Sequence, residues 1–219
     1  MKQLVKLVVF GTMLAAGSVG AEMMDSVKPY LGLDYYHAWM KGAKGTLSNG
    51  IAFDFTKDLP KSYPSATAYV GAKFTDYVGI ELGTDWSVYK KKTVVDSNGN
   101  LFKDKTKRQG LHVDIVGSLP LNDCFELLGF VGAGLVATKS TETVTNAQTG
   151  AITIVKFESK ANIIPRLGMG ASYMVTDMIG LRAKAGWENT HRLKMTVNTI
   201  SFKPFKDTIS LSLGVFIRW

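Results

Sequence analysis

The chain is poor in the residues that build metal centres and covalent cross-links, since its 219 residues include one cysteine and three histidines. The single cysteine, Cys124, excludes an intramolecular disulfide. The histidines His37, His112 and His191 lie on different predicted elements without the spacing of metal ligands, and the sequence contains no His-x-Ser pair. We therefore predict no metal site, no cofactor and no enzymatic activity.

Long apolar runs are missing beyond residue 21, where no stretch of about 18 apolar residues occurs, and this excludes a helical membrane protein. The start of the chain has the pattern of a targeting segment: two lysines precede an apolar core at 7–16, and small residues follow at 19–21. We expect a signal peptide over 1–21 and one domain over 22–219. Its removal leaves 24 basic against 18 acidic residues, a net charge of +6.

Charge is also sparse, at 20% of residues against 11% aromatic residues and 22 glycines, which argues against extensive disorder. What the sequence has in abundance is alternation, and the last twelve residues show it most clearly. One set of alternate residues is Ile209, Leu211, Leu213, Val215, Ile217 and Trp219. The other set is small or polar apart from Phe216. This period of two predicts a β-strand with lipid on one side and a polar interior on the other.

The same alternation recurs along the chain and predicts eight strands. They lie near 29–39, 65–74, 78–88, 101–119, 127–143, 152–175, 179–188 and 208–219. The inward face of the fifth strand is ambiguous, because its glycines and mixed apolar residues fit either phase. Three short connections alternate with longer ones, which is typical of membrane barrels. We therefore predict an all-β fold, an eight-stranded antiparallel up-and-down transmembrane β-barrel, closed because a sheet edge in lipid is too costly.

Three segments and the terminal residue carry a family resemblance. They are Tyr30-Leu31-Gly32-Leu33, Val78-Gly79-Ile80-Glu81-Leu82-Gly83, Pro165-Arg166-Leu167-Gly168-Met169-Gly170 and Trp219. Together they resemble the small OmpA-type or opacity-type outer-membrane barrels over residues 28–219. The resemblance implies a Gram-negative outer-membrane location and a terminal aromatic residue read by the assembly machinery. It implies little about activity, because these families share the residue alternation of the membrane-spanning strands and differ in the loops.

The faces predicted to point inward carry five acidic and five basic side chains. They are Asp34, Lys73, Glu81, Asp85, Asp114, Arg166, Arg182, Lys184, Glu188 and Arg218. The interior of an eight-stranded barrel is just wide enough for side chains to fill, and buried charges need partners. We expect a charge network across the lumen. It has two interpretations, a static core or a gated, low-conductance pore for small solutes.

Basic residues also cluster in the predicted long loops. The main group is Lys90, Lys91, Lys92, Lys103, Lys105, Lys107 and Arg108, and the same end of the barrel carries Lys139, Lys156, Arg192, Lys194, Lys203 and Lys206. Such a rim would attract lipopolysaccharide phosphates or sulfated host glycans, although solvated loops alone would have the same composition. Nucleic acid is not an expected partner of an exported protein, and we expect a monomer.

One rival fold remains at this stage. A soluble periplasmic barrel of the lipocalin type would bind an apolar ligand, with its apolar side chains inside and its polar ones outside. The two folds make opposite predictions for the direction in which the apolar side chains of each strand point.

Overall fold

A computed structural model describes residues 27–42, 44–46, 52–54, 62–88, 90–95, 98–159, 161–192, 195–197, 200–203 and 205–219. The signal peptide predicted over 1–21 lies outside these ranges. Eight long strands form the wall. They are β1 Lys28–Gly42, β2 Ser62–Lys73, β3 Val78–Ser87, β4 Leu101–Pro120, β5 Phe125–Thr145, β6 Asn162–Met174, β7 Ile179–Glu188 and β8 Phe205–Arg218.

Each wall strand pairs antiparallel with the next in the chain, from β1–β2 through β7–β8. The ring closes because β8 also pairs with β1, with Tyr30 opposite Arg218 at one end and Met40 opposite Thr208 at the other. The predicted eight-stranded closed barrel is confirmed. Among the described residues, no helix has the length and apolarity needed to cross a membrane.

The apolar face of the wall points outward, as β8 shows. Leu213 is 65% exposed, whereas Ser212 beside it is buried. The inward-pointing Glu81 on β3 is 1% exposed, and the inward-pointing Arg182 on β7 is 5% exposed. This orientation excludes the lipocalin-type alternative, whose apolar residues would fill the centre.

The ambiguous strand β5 points three large apolar side chains into the barrel, and they are Leu128, Phe130 and Val136. The Phe130 ring packs against Gly168 and Gly186, where a side chain would collide with it. A Cβ added at Gly168 would lie 2.5 Å from its ring, and one at Gly186 would lie 3.2 Å from it. Apolar residues therefore occur on both faces of β5, and for this reason the sequence pattern does not show which face points inward.

The three short connections are built alike. Each begins with a side-chain oxygen that accepts a backbone N–H three residues later: Val78 donates to Thr75 Oγ1 at 3.1 Å, Phe125 to Asn122 Oδ1 at 2.8 Å, and Ile179 to Thr176 Oγ1 at 3.0 Å. Thr and Asn favour such turns for this reason. We call this side of the barrel the short-turn end, and the opposite side the long-loop end.

At the long-loop end, β4 and β5 continue past the other wall strands and carry short strands with them. Lys90–Val95 pairs with β4, and Ile152–Ser159 pairs with β5. The sixth strand predicted over 152–175 is thus two strands, because the register against β5 changes by one residue between the pairs Val136–Asn162 and Lys139–Glu158. We call the outer part of these four paired strands the extension sheet, which comprises residues 90–95, 101–108, 138–145 and 152–159.

Further short strands lie at Lys44–Thr46, Ala52–Asp54, Met195–Val197 and Ile200–Phe202, and a 3₁₀ turn lies at Thr190–Arg192. The strand Ala52–Asp54 pairs antiparallel with Lys44–Thr46.

Candidate functional site

The interior of the barrel holds two clusters of acidic and basic side chains stacked along its axis. The cluster nearer the short-turn end, the Arg182 cluster, consists of Asp34, Glu81, Arg182 and Lys184. The cluster nearer the long-loop end, the Arg166 cluster, consists of Asp85, Arg108, His112, Asp114, Arg166 and Glu188. Three strands that are not neighbours supply the Arg182 cluster, so it crosses the lumen.

Arg182 lies at the centre of the first cluster. Its Nη2 donates to Asp34 Oδ2 at 2.8 Å and its Nε donates to Asp34 Oδ1 at 3.0 Å, a bidentate pair. Its Nη1 donates to Glu81 Oε1 on the opposite side of the lumen, also at 2.8 Å. The guanidinium lies over the Tyr69 ring, 3.2 Å from the ring centroid. Charge-assisted, forked contacts of this kind are among the strongest polar contacts in proteins.

Two further groups complete the coordination of Glu81. Lys184 Nζ donates to its Oε2 at 3.2 Å, and the Tyr30 hydroxyl donates to its Oε1 at 3.1 Å. The cluster contains two carboxylates and two basic side chains, so its charges balance. The burial of all four side chains is tolerable for this reason.

The Arg166 cluster has an excess of carboxylates. Arg108 donates through Nη2 to Glu188, and Tyr36 donates to the other oxygen of Glu188 at 3.2 Å. Arg166 lies at longer range from its partners, with Nε 3.3 Å from Asp114 Oδ1 and Nη1 3.8 Å from Asp85 Oδ2. Two guanidinium groups therefore face three carboxylates.

His112 occupies the remaining place in this cluster. Its Nδ1 is 3.3 Å from Asp85 Oδ2 and its Nε2 is 3.8 Å from Asp114 Oδ2. The ring fits only because position 83 is glycine, since a Cβ there would lie 2.3 Å from Nε2. Both ring nitrogens therefore face a carboxylate oxygen of the cluster.

The short-turn end of the lumen is closed by a third set of charges. Lys73 Nζ lies 2.5 Å from Glu126 Oε2, and Arg218 Nη1 lies 3.7 Å from Glu126 Oε1. A cavity of about 40 Å³ lies here, lined in part by these residues and by Phe216. Outside the wall, Lys28 donates to Asp76 at 2.7 Å and thereby holds the pKa of that carboxyl below its usual value.

The structure corrects one residue of the predicted loop set and adds two residues to the predicted interior. Arg108, predicted to lie in an external loop, is 5% exposed inside the barrel, because β4 is 20 residues long and Arg108 shares the inward face of His112. His112 and Glu126 belong to the interior charges as well. Strand parity was the available signal, since both occupy even positions on strands whose even residues point inward.

Of the basic loop residues, six lysines share the outward face of the extension sheet. They are Lys91, Lys103, Lys105, Lys107, Lys139 and Lys156. The pairs Lys91–Lys105 and Lys107–Lys139 are directly opposite each other on neighbouring strands. The side chains of Lys90, Lys92, Arg192 and Lys194 lie outside the described part, and Lys203 and Lys206 are exposed elsewhere on the long-loop end.

The remaining candidate residues do not assemble into a reaction centre. His37 faces outward between Tyr35 and Trp39, with its Nδ1 3.2 Å from the Tyr35 hydroxyl, and His191 is exposed in the 3₁₀ turn. Cys124 is exposed in a short turn. Within the described ranges, no group of three or more His, Cys, Asp or Glu side chains is placed to hold a metal ion.

Comparison with known families gives one match. The model of the OmpA-like transmembrane domain matches residues 30–218. Among curated proteins, no sequence matches the chain significantly.

Several solved structures share the fold. Ail from Yersinia pestis, in complex with the heparin analogue sucrose octasulfate, is 13% identical with a TM-score of 0.50, and the match covers 89% of this chain and 99% of Ail. Neisserial surface protein A is 18% identical with a TM-score of 0.51, over 87% of this chain and 97% of that one. OprG from Pseudomonas aeruginosa is 11% identical with a TM-score of 0.54, over 89% and 96% respectively. At these identities the likeness shows the fold alone.

Proposed function

The chain belongs to the OmpA-like transmembrane domain family of Gram-negative outer-membrane β-barrels, and from this premise we propose that it is a non-catalytic structural and surface-interaction protein whose outward lysines bind lipopolysaccharide phosphates. The short-turn end is then periplasmic and the long-loop end extracellular. A monomer is the proposed state, because the eight wall strands close into a ring and leave no edge within the wall at which a second barrel could pair.

The observation that carries the proposal is the concentration of lysines on the outward face of the extension sheet. Lys107 lies directly opposite Lys139, and Lys91 lies directly opposite Lys105. Basic side chains gathered on one exposed face create a positive surface potential, which attracts anions such as phosphate groups.

The height of these lysines fits the phosphate layer of the outer leaflet. Trp86 pairs with Gln109 and is 37% exposed on the outward face, where tryptophan marks the membrane interface. Lys107 is the next outward residue of β4 after Gln109, which is about 7 Å further along the strand. Lys105 follows after a similar step. The lysines therefore begin where the acyl chains end.

A triple substitution tests the proposal. We expect Lys105→Gln, Lys107→Gln and Lys139→Gln together to weaken lipopolysaccharide binding about a hundredfold, since each lysine near an anionic surface contributes about 1 kcal/mol. Binding is measured as the rise in unfolding temperature when lipopolysaccharide is added to the barrel in phosphatidylcholine vesicles. The rise should also shrink with added salt.

A charge-matched control keeps the test specific. Lys28→Gln, Lys203→Gln and Lys206→Gln remove the same net charge from exposed positions away from the extension sheet, and this variant should retain most of the effect. Equal loss in the two triple variants would show that only net charge matters and would overturn the proposal. Sucrose octasulfate added as a competitor tells whether a free sulfated sugar reaches the same lysines.

The alternative function is a small-solute pore, and the interior charge network is the feature that motivates it. Conduction would require the pairs of Arg182 with Asp34 and Glu81 to exchange partners, because they cross the lumen. We instead propose that the network is static. In planar bilayers, the wild type and Glu81→Gln should both give flat current traces. Discrete conductance steps that Glu81→Gln alters would favour the pore.

A further inference from the structure

The far end of the extension sheet carries exposed aliphatic side chains on the same outward face as the lysines. One row across the four strands consists of Val95, Leu101, Thr145 and Ile152, each directly opposite the next on the neighbouring strand. Ile154 lies in the next row, opposite Thr143. We call the aliphatic residues of these two rows the apolar tip, which consists of Val95, Leu101, Ile152 and Ile154.

Three of the four residues of the apolar tip, Val95, Ile152 and Ile154, are as exposed as the lipid-facing wall, and Leu101 is partly buried. Ile152 is 66% and Ile154 is 60% exposed, whereas the lipid-facing Leu213 is 65% exposed. Acyl chains do not reach this height. Leu101 lies eight residues beyond Gln109 at the tryptophan level, which is about 27 Å along the strand and about 20 Å above the interface at the usual tilt.

The tip is held together by its two hairpin turns. Gly99 and Gly150 have φ angles of +80° and +67°, which glycine adopts without strain. The N–H of Ala147 in the second turn donates to Asn100 Oδ1 at 3.0 Å, next to the first turn. Within the second turn, Thr149 N donates to Asn146 Oδ1, also at 3.0 Å. A surface fixed in this way loses little conformational entropy when a partner binds.

The chemistry around the tip selects the kind of partner. Lys103 lies in the same row as Ile154, and Lys156 follows Ile154 on the same face. Two copies of this face would bring lysine against lysine, which excludes self-association through it. A polysaccharide could pair with the lysines, but it would leave the branched aliphatic side chains exposed to water. A protein surface with apolar side chains beside acidic ones satisfies both.

We propose that the apolar tip and its flanking lysines form a docking surface for an extracellular protein that presents apolar residues bordered by aspartate or glutamate. The surface is small, so the complex belongs among weak, transient ones. It is distinct from lipopolysaccharide binding, which depends on the lysine pairs nearer the membrane.

A random peptide library displayed on phage, selected against the barrel in lipopolysaccharide-containing vesicles, probes this surface. Enriched peptides should combine acidic with apolar residues. Their binding, measured by fluorescence anisotropy with synthetic peptide, should weaken about tenfold or more in the double variant Ile152→Thr and Ile154→Thr, because a few apolar anchors dominate such contacts. Lys103→Gln should weaken binding less and reduce its salt dependence.

Val144→Thr is the matched control, since Val144 lies opposite Thr153 and therefore on the other face of the same strands. It should leave peptide binding unchanged, and both Val144→Thr and the double isoleucine variant should bind lipopolysaccharide like the wild type. Selection that yields no peptide, peptides without acidic residues, or equal binding by the double variant and the wild type would each overturn the proposal. None of these outcomes bears on the triple lysine variant.

Discussion

Replacing Arg182 with methionine should destabilise the barrel by about 3–5 kcal/mol, because this leaves two buried carboxylates without their main partner. Arg182 makes three hydrogen bonds to Asp34 and one to Glu81. Lys184 remains 3.2 Å from Glu81 and partly compensates there. The cost therefore arises mainly at Asp34, which is 4% exposed.

The measurement is urea unfolding in lipid vesicles, followed by the shift in gel mobility between the folded and heat-denatured barrel. Removing the unpaired carboxylate should restore much of the lost unfolding free energy. The double variant Asp34→Asn with Arg182→Met should therefore be more stable than Arg182→Met alone. Arg218→Met is the control, because its side chain is 32% exposed at the mouth and 3.7 Å from its partner. A loss below about 1 kcal/mol in Arg182→Met would contradict a buried role for the pair.

Replacing Leu213 with arginine should cost about 2–4 kcal/mol, since the outward face of the wall lies in hydrocarbon and the penalty is largest at the bilayer midplane. The depth of Leu213 in the membrane follows from the tryptophans that mark the two membrane interfaces. Ile209 lies opposite Trp39 and Trp187, and Trp219 lies ten residues further at the other interface. Leu213 is near the middle of that span.

Two other arginine substitutions make the depth dependence visible. Ile217→Arg, close to Trp219, should cost about 1 kcal/mol or less. Ile152→Arg on the extension sheet should have almost no effect on stability, because that residue lies in water. The three variants are compared by the same urea titration, and three equal costs would be incompatible with a lipid-facing wall that ends at the tryptophan levels.

The wall could be predicted from the sequence because lipid makes a simple demand on it. Most outward residues must be apolar, so β8 alternates from Ile209 to Trp219 and β3 does so apart from Thr84, and the predicted phases of both strands were correct. The interior constrains the residue types less, because its side chains need only fill the lumen and balance their charges. Phe130 is as acceptable there as Arg166, provided that Gly168 leaves room. The sequence of β5 therefore carried no readable phase.

The ends of the strands were harder than their phases. Arg108 lies within the strand predicted over 101–119, but its place in a run of basic residues favoured the external loop group, whereas in the structure it occupies an inward position of the 20-residue β4. Glu126 lies one residue before the strand predicted over 127–143, and β5 begins at Phe125. The partners of each interior charge depend on strand register and on positions across the lumen, and local pattern contains neither.

The Arg182 cluster has a consequence for the order in which the barrel assembles. Asp34 and Arg182 are 148 positions apart in the chain, and Glu81 and Arg182 are 101 apart. Contacts between such distant segments form late, because most of the chain must already be arranged to bring them together. A nascent sheet that is still open would expose these charges without their partners. The interior charges are therefore paired only when the ring is complete, which favours the closed barrel over partly assembled sheets.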